Sequence, residues 1–219
     1  MATDRNRKKI IDAFMALAET RAFEEISLVA IAEEAKVDLA TLRDAYDGKL
    51  AILADFFRRI DMAVLKGEEE GAADETPRDR LFDVVMRRFD ALAPYKAALA
   101  SLGHSARRDP FLTMALARLS SVSQNWMLTG AGIDTSGIVG LAKVKGMVLT
   151  YAKVFRTWLK DDDPGLARTM SALDKELRRG EKVVSRLERM SRRCGRRRSV
   201  RQDDHLKDFP AEGADATAA

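Results

Sequence analysis

The chain reads as an all-α protein, and three observations carry that reading. Alanine (33) and leucine (23) dominate while valine (13) and isoleucine (8) are few, a balance that favours helices over strands. Apolar residues recur at steps of three and four: Leu50, Leu53, Phe57, Ile60 and Val64, then Leu81, Val84, Val85, Phe89 and Leu92, then Ile138, Leu141, Val148, Phe155 and Leu159. No window of comparable length alternates with period two. With 219 residues there is ample length for a core, in one large domain or two small ones.

Caps and breakers set the elements in order. Residues 4–65 hold four helices, the middle two short. Ser27 caps a helix over 28–35, a turn follows at 36–38, and Asp38 caps a helix over 39–46. Gly48 breaks the pattern before a helix over 49–65. The acidic stretch 66–77 (KGEEEGAADETP) lacks large apolar residues and reads as a linker. Pro94 and Pro110 interrupt a helical array, residues 130–137 form a loop, and DDDPG at 161–165 divides two helices, with Pro164 expected at a first helical position. The domains predicted are 1–65, 78–190 and a disordered tail over 191–219.

Composition narrows the function classes. No apolar run approaches the roughly 18 residues a spanning helix needs, and MATDRNRKKI has no secretory core, so the expected address is cytoplasmic. The single Cys194 and two histidines leave no internal disulfide, no zinc cluster and no nucleophile–base pair, and no phosphate-binding glycine loop is present. An enzyme is not expected, nor a cofactor or metal. His104 reads as a hydrogen bonder at a loop or pocket edge. Between Arg178 and Arg201 stand eleven Lys/Arg against two Glu, whereas the residues after 201 are acidic. The pI near 9.2 therefore describes this segment and not the nearly neutral body.

Two short helices joined by a tight turn and braced by longer ones describe a helix-turn-helix. The stretch RKKIIDAFMALAETRAFEEISLVAIAEEAKVDLATLRDAYDGKLAIL resembles the N-terminal domain of TetR-type transcriptional regulators. Ile11, Ala13, Phe14 and Leu17 match that family's first-helix core, and Phe23 and Glu24 its aromatic turn. Ile31, Ala32 and Ala35 match its second helix, and Val37, Thr41, Leu42, Tyr46 and Lys49 its recognition helix and the next helix start. The resemblance covers about 50 residues and implies a TetR-like fold: an N-terminal three-helix helix-turn-helix domain, then a helical ligand-binding and dimerisation domain.

On the DNA-reading helix, Leu39 and Ala40 can touch thymine methyls, while Thr41 and Lys49 can bond phosphates. Arg43 stands where the family has a phosphate-contacting tyrosine and can do that job or reach a guanine edge. The alternative is that Thr41 caps locally and Arg43 and Lys49 are solvated. Asp38, Asp44 and Asp47 oppose Arg43 over 38–47. Asp38 and Asp47 are explained as helix caps. Asp44 is repelled by phosphates unless it accepts from a cytosine amine or from Arg43. Ala45 and Gly48 also depart from the family pattern. These departures suit a second resemblance, carried by LRDAYDGKLAILADFFRRIDMAVL and ARTMSALDKELRRGE, to the TetR-fold lipid-binding proteins of ubiquinone biosynthesis. That branch implies an isoprenoid-lipid pocket and membrane docking without DNA reading.

In the body, Met and aromatic residues suit a pocket for an apolar ligand or a plain core. Phe82, Met86, Phe89 and Tyr95 are the first candidates, followed by Phe111, Met114 and Trp126, then Met147 and Tyr151. The apolar stripes from Ile138 to Leu159 and at Leu166, Met170, Leu173 and Leu177 suit a homodimer interface, which two DNA half-sites also require, or internal packing. Residues 178–201 offer three readings: an amphipathic helix on an anionic membrane, non-specific nucleic-acid binding, or a solubilising tail. The leading expectation is a dimeric regulator that binds double-stranded operator DNA with an affinity set by a small apolar ligand. The alternative is the lipid carrier.

Overall fold

A computed structural model describes residues 3–67 and 75–207, with side-chain surroundings through Arg186 and at Arg189. Among the described residues there are nine α-helices and no strand: α1 (Asp4–Thr20), α2 (Leu28–Ala35), α3 (Leu39–Ala45), α4 (Lys49–Lys66), α5 (Pro77–Leu92), α6 (Lys96–Ala106), α7 (Pro110–Gly130), α8 (Gly137–Trp158) and α9 (Ala167–Lys207). The chain divides into two units, Met1–Gly180 and Glu181–Ala219.

In the first unit several helices begin where a side chain holds a free amide, while α4, α6 and α8 begin without a side-chain cap. The hydroxyls of Thr3, Ser27 and Thr76 accept from Asn6, Ala30 and Asp79, and Asp109 accepts from Phe111 before the Pro110 that opens α7. α1 packs against α2 and α6, α4 lies against α5 and α7, and α7 lies against α8. One apolar core runs through them, from Ile10 and Phe14 through Ile52, Phe56, Val85 and Phe89 to Val154, Trp158 and Leu173.

The α5 stripe is buried as read from the sequence, the α4 stripe is buried except at Leu50, and the α8 stripe turns. On α4 the buried face centres on Ile52, Phe56 and Ile60, leaving Leu50 exposed. On α8 it is Val144, Met147, Tyr151, Val154 and Trp158; Ile138, Leu141 and Leu149 lie exposed on the other side. Spacing of three and four fixes a face without saying which of two apolar faces the core takes. The start of α9 also differs. Pro164 sits in a turn, Leu166 is left-handed at φ 49°, and the helix opens at Ala167, whose amide donates to Asp163. Asp161 is buried; it accepts from the Thr169 amide at 2.8 Å and hydroxyl at 2.7 Å, and that hydroxyl foremost holds its carboxyl below the usual range.

Among the described residues, a charge pair lies deep in the interior of the body. Arg88 of α5, 2% exposed, pairs with buried Asp61 of α4. The Ser123 hydroxyl of α7 donates to the same carboxylate at 2.7 Å. The guanidinium lies 5.7 Å from the ring centre of Tyr151 on α8 and 5.9 Å from that of Phe57.

In the second unit, residues 181–207 are helical and Val183 is exposed. The disorder expected from 191 therefore meets a helix up to Lys207, over a run without proline in which Arg and Leu are good helix formers. Residues 208–219 lie outside those described, as do 68–74 of the expected linker.

Removing one member of the buried pair leaves a charge unmatched, so Arg88→Met is expected to lower stability by about 3–5 kcal/mol. Adding Asp61→Leu should restore much of the loss. Urea unfolding of both variants checks this, and a single variant as stable as the parent would contradict the pair's role.

Candidate nucleic-acid interface

The segment 27–46 folds as helix, turn, helix because each junction is fixed locally. Lys36 adopts a left-handed backbone at φ 53° and ends α2, and the Val37 amide bonds back to the Ala32 carbonyl at 3.0 Å. Asp38 accepts from the Thr41 amide at 2.6 Å, and this N–H holds the Asp38 carboxyl below its ordinary pKa. Ile31, Ala32 and Ala35 of α2 and Leu42, Ala45 and Tyr46 are buried, so α3 presents its opposite side.

That side carries most of the residues read as DNA contacts. Leu39 is 50% exposed, and Ala40, Arg43 and Asp44 are exposed with it, while Thr41 is half-buried with its amide on Asp38. Arg43 pairs with Asp47 one turn on, so Asp47 does not cap α4, which begins after Gly48 without a side-chain cap. Asp44 is not left without a partner. Lys49 stands apart from this set. Its ammonium donates to the Phe23 carbonyl at 2.6 Å and lies 4.2 Å from the centre of that ring. Burial lowers its pKa, against the opposing pull of Glu24.

Phe23 is a junction. Its amide donates to the Ser105 hydroxyl of α6 at 3.0 Å, and the Ser101 hydroxyl donates to the Arg21 carbonyl at 3.0 Å. The end of α3 is clamped separately. The Tyr46 hydroxyl donates to Asp55 of α4 at 2.6 Å, Arg58 donates to the same carboxylate at 3.0 Å and Arg59 at 3.3 Å, and Arg59 also pairs with Asp4 of α1. Burial alone would raise the Asp55 carboxyl, but the Tyr46 hydroxyl and the two guanidiniums outweigh it and hold it low. The Tyr46 hydroxyl is pushed up by burial and by its bond to Asp55. The Arg7 guanidinium lies 5.1 Å from the Tyr46 ring centre.

The body residues read as pocket lining do not form one set. Phe89 and Tyr151 stack with centroids 5.3 Å apart, the Trp158 ring centre also lies 5.3 Å from that of Phe89, and Met147 is one turn from Tyr151 on the same buried face. Phe82 and Met86 are half-buried against the core. Tyr95 instead meets Phe56 of α4 edge-on at 4.9 Å. Phe111, 84% exposed, Met114 and Trp126 lie on the outside of α7, whose inner face is taken by Leu112, Ser123, Gln124, Met127 and Leu128. His104 is exposed on α6, in no loop.

The sequence reading missed Asp55, Asp61, Arg88, Ser123 and Gln124. Gln124 is fully buried, and neither amide atom has a hydrogen-bond partner among the described residues; the Tyr151 hydroxyl is buried beside the Arg88 guanidinium. A signal existed for Arg88, a cation inside the apolar stripe Leu81–Val84–Val85–Phe89–Leu92.

No family profile matches the chain. It is similar to the HTH-type transcriptional repressor KstR of Mycobacterium tuberculosis, 30% identical over 116 residues, covering 51% of this chain and 45% of that protein. The KstR of Mycolicibacterium smegmatis is likewise 30% identical over 116 residues, with 48% of its length covered. The match thus spans about half the length of these relatives. Among solved structures, a TetR transcriptional regulator from Nitrosomonas europaea aligns with a TM-score of 0.63 at 22% identity, over 80% of this chain and 97% of that one. A TetR-family regulator from Streptomyces coelicolor aligns at 0.57 and 16% identity, over 97% and 93%. The TetR-like fold implied by the N-terminal resemblance is borne out, and the relatives in sequence are by name HTH-type transcriptional repressors.

The depressed Asp55 carboxyl has a pH consequence. Its folded pKa lies below the unfolded value of about 3.9, so its contribution is fully present above that value and is lost as pH falls through the folded one. Asp55→Asn is expected to lower stability at pH 7 and to flatten the loss below about pH 4. Urea midpoints from pH 7 to pH 3 measure this; an unchanged acid slope in the variant would count against it.

Proposed function

We propose that this TetR-fold chain is a transcriptional repressor that binds operator DNA as a homodimer, with an affinity set by a small apolar ligand in its helical body. The observation that carries the reading is the outer side of α3: in a helix-turn-helix whose inner side is packed, Leu39, Ala40, Arg43 and Asp44 stand exposed on the second helix, the one that enters a major groove. The sequence relatives are repressors by name, and this favours a regulator over a lipid carrier. An operator on the chromosome makes the cytoplasm its place of work.

Dimerisation is supported by α8. Its inner face is buried, yet Ile138 (88% exposed), Leu141 and Leu149 form a second apolar stripe on the outer side, and Met170 of α9 is exposed as well. A twofold pair would present two α3 helices to half-sites about one helical turn apart. The ligand is supported by the stacked Phe89 and Tyr151 with the buried Tyr151 hydroxyl beside the Arg88 guanidinium, a greasy wall with a polar point.

Fluorescence anisotropy at physiological salt, with the gene's own upstream region against a shuffled sequence, tests the reading. A preference of about a thousandfold is expected for the first probe. Equal weak binding to both would remove operator reading at that site. Arg43→Ala is expected to cost about 1–3 kcal/mol on the upstream probe if the guanidinium reaches a base edge. Replacing Ile138 and Leu149 together by Glu should yield monomers in sedimentation and weaken operator binding; a dimer that survives would move the interface elsewhere.

A further inference from the structure

Of the two cations assigned to DNA from the sequence, one is held inside the protein and the other meets an acid at the surface. Lys49 is directed onto Phe23, and Arg43 is paired with Asp47. The acids Asp38, Asp44 and Asp47 stand on or beside α3, so the helix itself contributes little net attraction for a polyanion. Most of the affinity of such a contact comes from neutralised phosphates. A groove-reading helix so poorly charged needs its phosphate grip from a neighbouring element.

The first turns of α1 are that neighbour. Residues 5–9 read Arg-Asn-Arg-Lys-Lys, four cations without an acid. The Arg7 guanidinium lies 5.1 Å from the ring centre of Tyr46, the residue that ends α3, and the Tyr46 hydroxyl reaches the Arg7 carbonyl at 3.5 Å. This segment is therefore fastened against the C-terminal end of the recognition helix. Ile10, Ile11 and Phe14 face the core, while Arg5, Lys8 and Lys9 are exposed and share a side at helical spacing. Of the nearby acids, Asp4 pairs with Arg59 and Asp12 sits 3.5 Å from Lys8 on the surface, a contact too exposed to hold Lys8 firmly.

We infer that Arg5, Lys8 and Lys9 are phosphate-binding residues that hold the DNA backbone flanking the groove read by α3. The inference rests on the operator-binding reading above and adds where the backbone contacts come from. These three residues set strength and salt dependence, and α3 sets sequence.

The test compares the full chain with Arg5→Ala/Lys8→Ala/Lys9→Ala and with a control that removes equal charge from the body, Arg118→Ala/Arg156→Ala/Lys160→Ala. Affinity for the upstream and shuffled probes is measured as a function of salt. Each lost phosphate contact reduces the slope of log K against log salt by about 0.9, and a homodimer loses every contact twice, so the α1 variant is expected to fall by about 5 in slope. It should weaken on both probes by a similar factor and leave their ratio unchanged, while the control keeps the parent slope. Circular dichroism keeps a folding defect from counting as a contact, and the single Lys9→Ala, expected to lose about 1.8 in slope across the two protomers, provides the reading should the triple variant misfold. A parent that discriminates its upstream probe with a variant of unchanged slope overturns this inference alone. A control that loses as much as the variant does the same. A parent that binds neither probe overturns the operator reading together with it.

Discussion

A guanidinium inside a helical body must be matched or the body does not close, and the match of Arg88 with Asp61 brings four helices together. The carboxylate comes from α4, the cation from α5, the hydroxyl that completes the carboxylate from Ser123 of α7, and one flanking ring from Tyr151 of α8. Such a pair adds little net stability over an apolar replacement of the same volume, because both charges lose their water. Its effect is on register. An apolar contact tolerates a slide of a helix along its neighbour; a two-sided charge contact with a third donor does not.

The helix most constrained in this way is α4. Lys49 at its start holds Phe23, Asp55 one and a half turns on holds Tyr46, and Asp61 a similar distance further holds Arg88. At about 1.5 Å per residue these anchors span roughly 18 Å of one rod. The helix α3 is thus positioned from behind, through Tyr46, by the same element that enters the body's polar core. Its anchoring consumes charge: Lys49, Arg58 and Arg59 all satisfy internal partners. A lysine at the start of α4 looks in sequence like a phosphate ligand, yet in the fold it closes the turn between α1 and α2.

This division explains what the sequence disclosed. Helix boundaries were legible wherever a local signal exists, as with Ser27, Asp38 and Pro110, because a cap acts on amides within three residues of itself. The start of α9 was misplaced because Asp163 caps across a turn that contains Pro164, and Asp161 is held by Thr169 eight residues on. Which stripe of α8 faces inward depends on partners far along the chain, so spacing alone left Ile138 and Val144 indistinguishable. The exposed side of α3 followed from packing periodicity, whereas the destinations of Lys49 and Asp47 depended on Phe23 and Arg43, which compete with solvent and caps at similar energies.

The same geometry limits how a ligand can act in the regulator reading. The body touches the helix-turn-helix through α4, by its three anchors, and through α6, by Ser101 and Ser105 on the 21–23 backbone. A ligand that leaves both helices in place has no differential affinity for two arrangements of the head and cannot change DNA binding, however tightly it is held. Because Phe23 is bonded from α6 and from Lys49 of α4 at once, a shift of one helix strains the contact made by the other. In that reading an effective ligand is one that moves α4 and α6 together, because Phe23 is bonded from both at once.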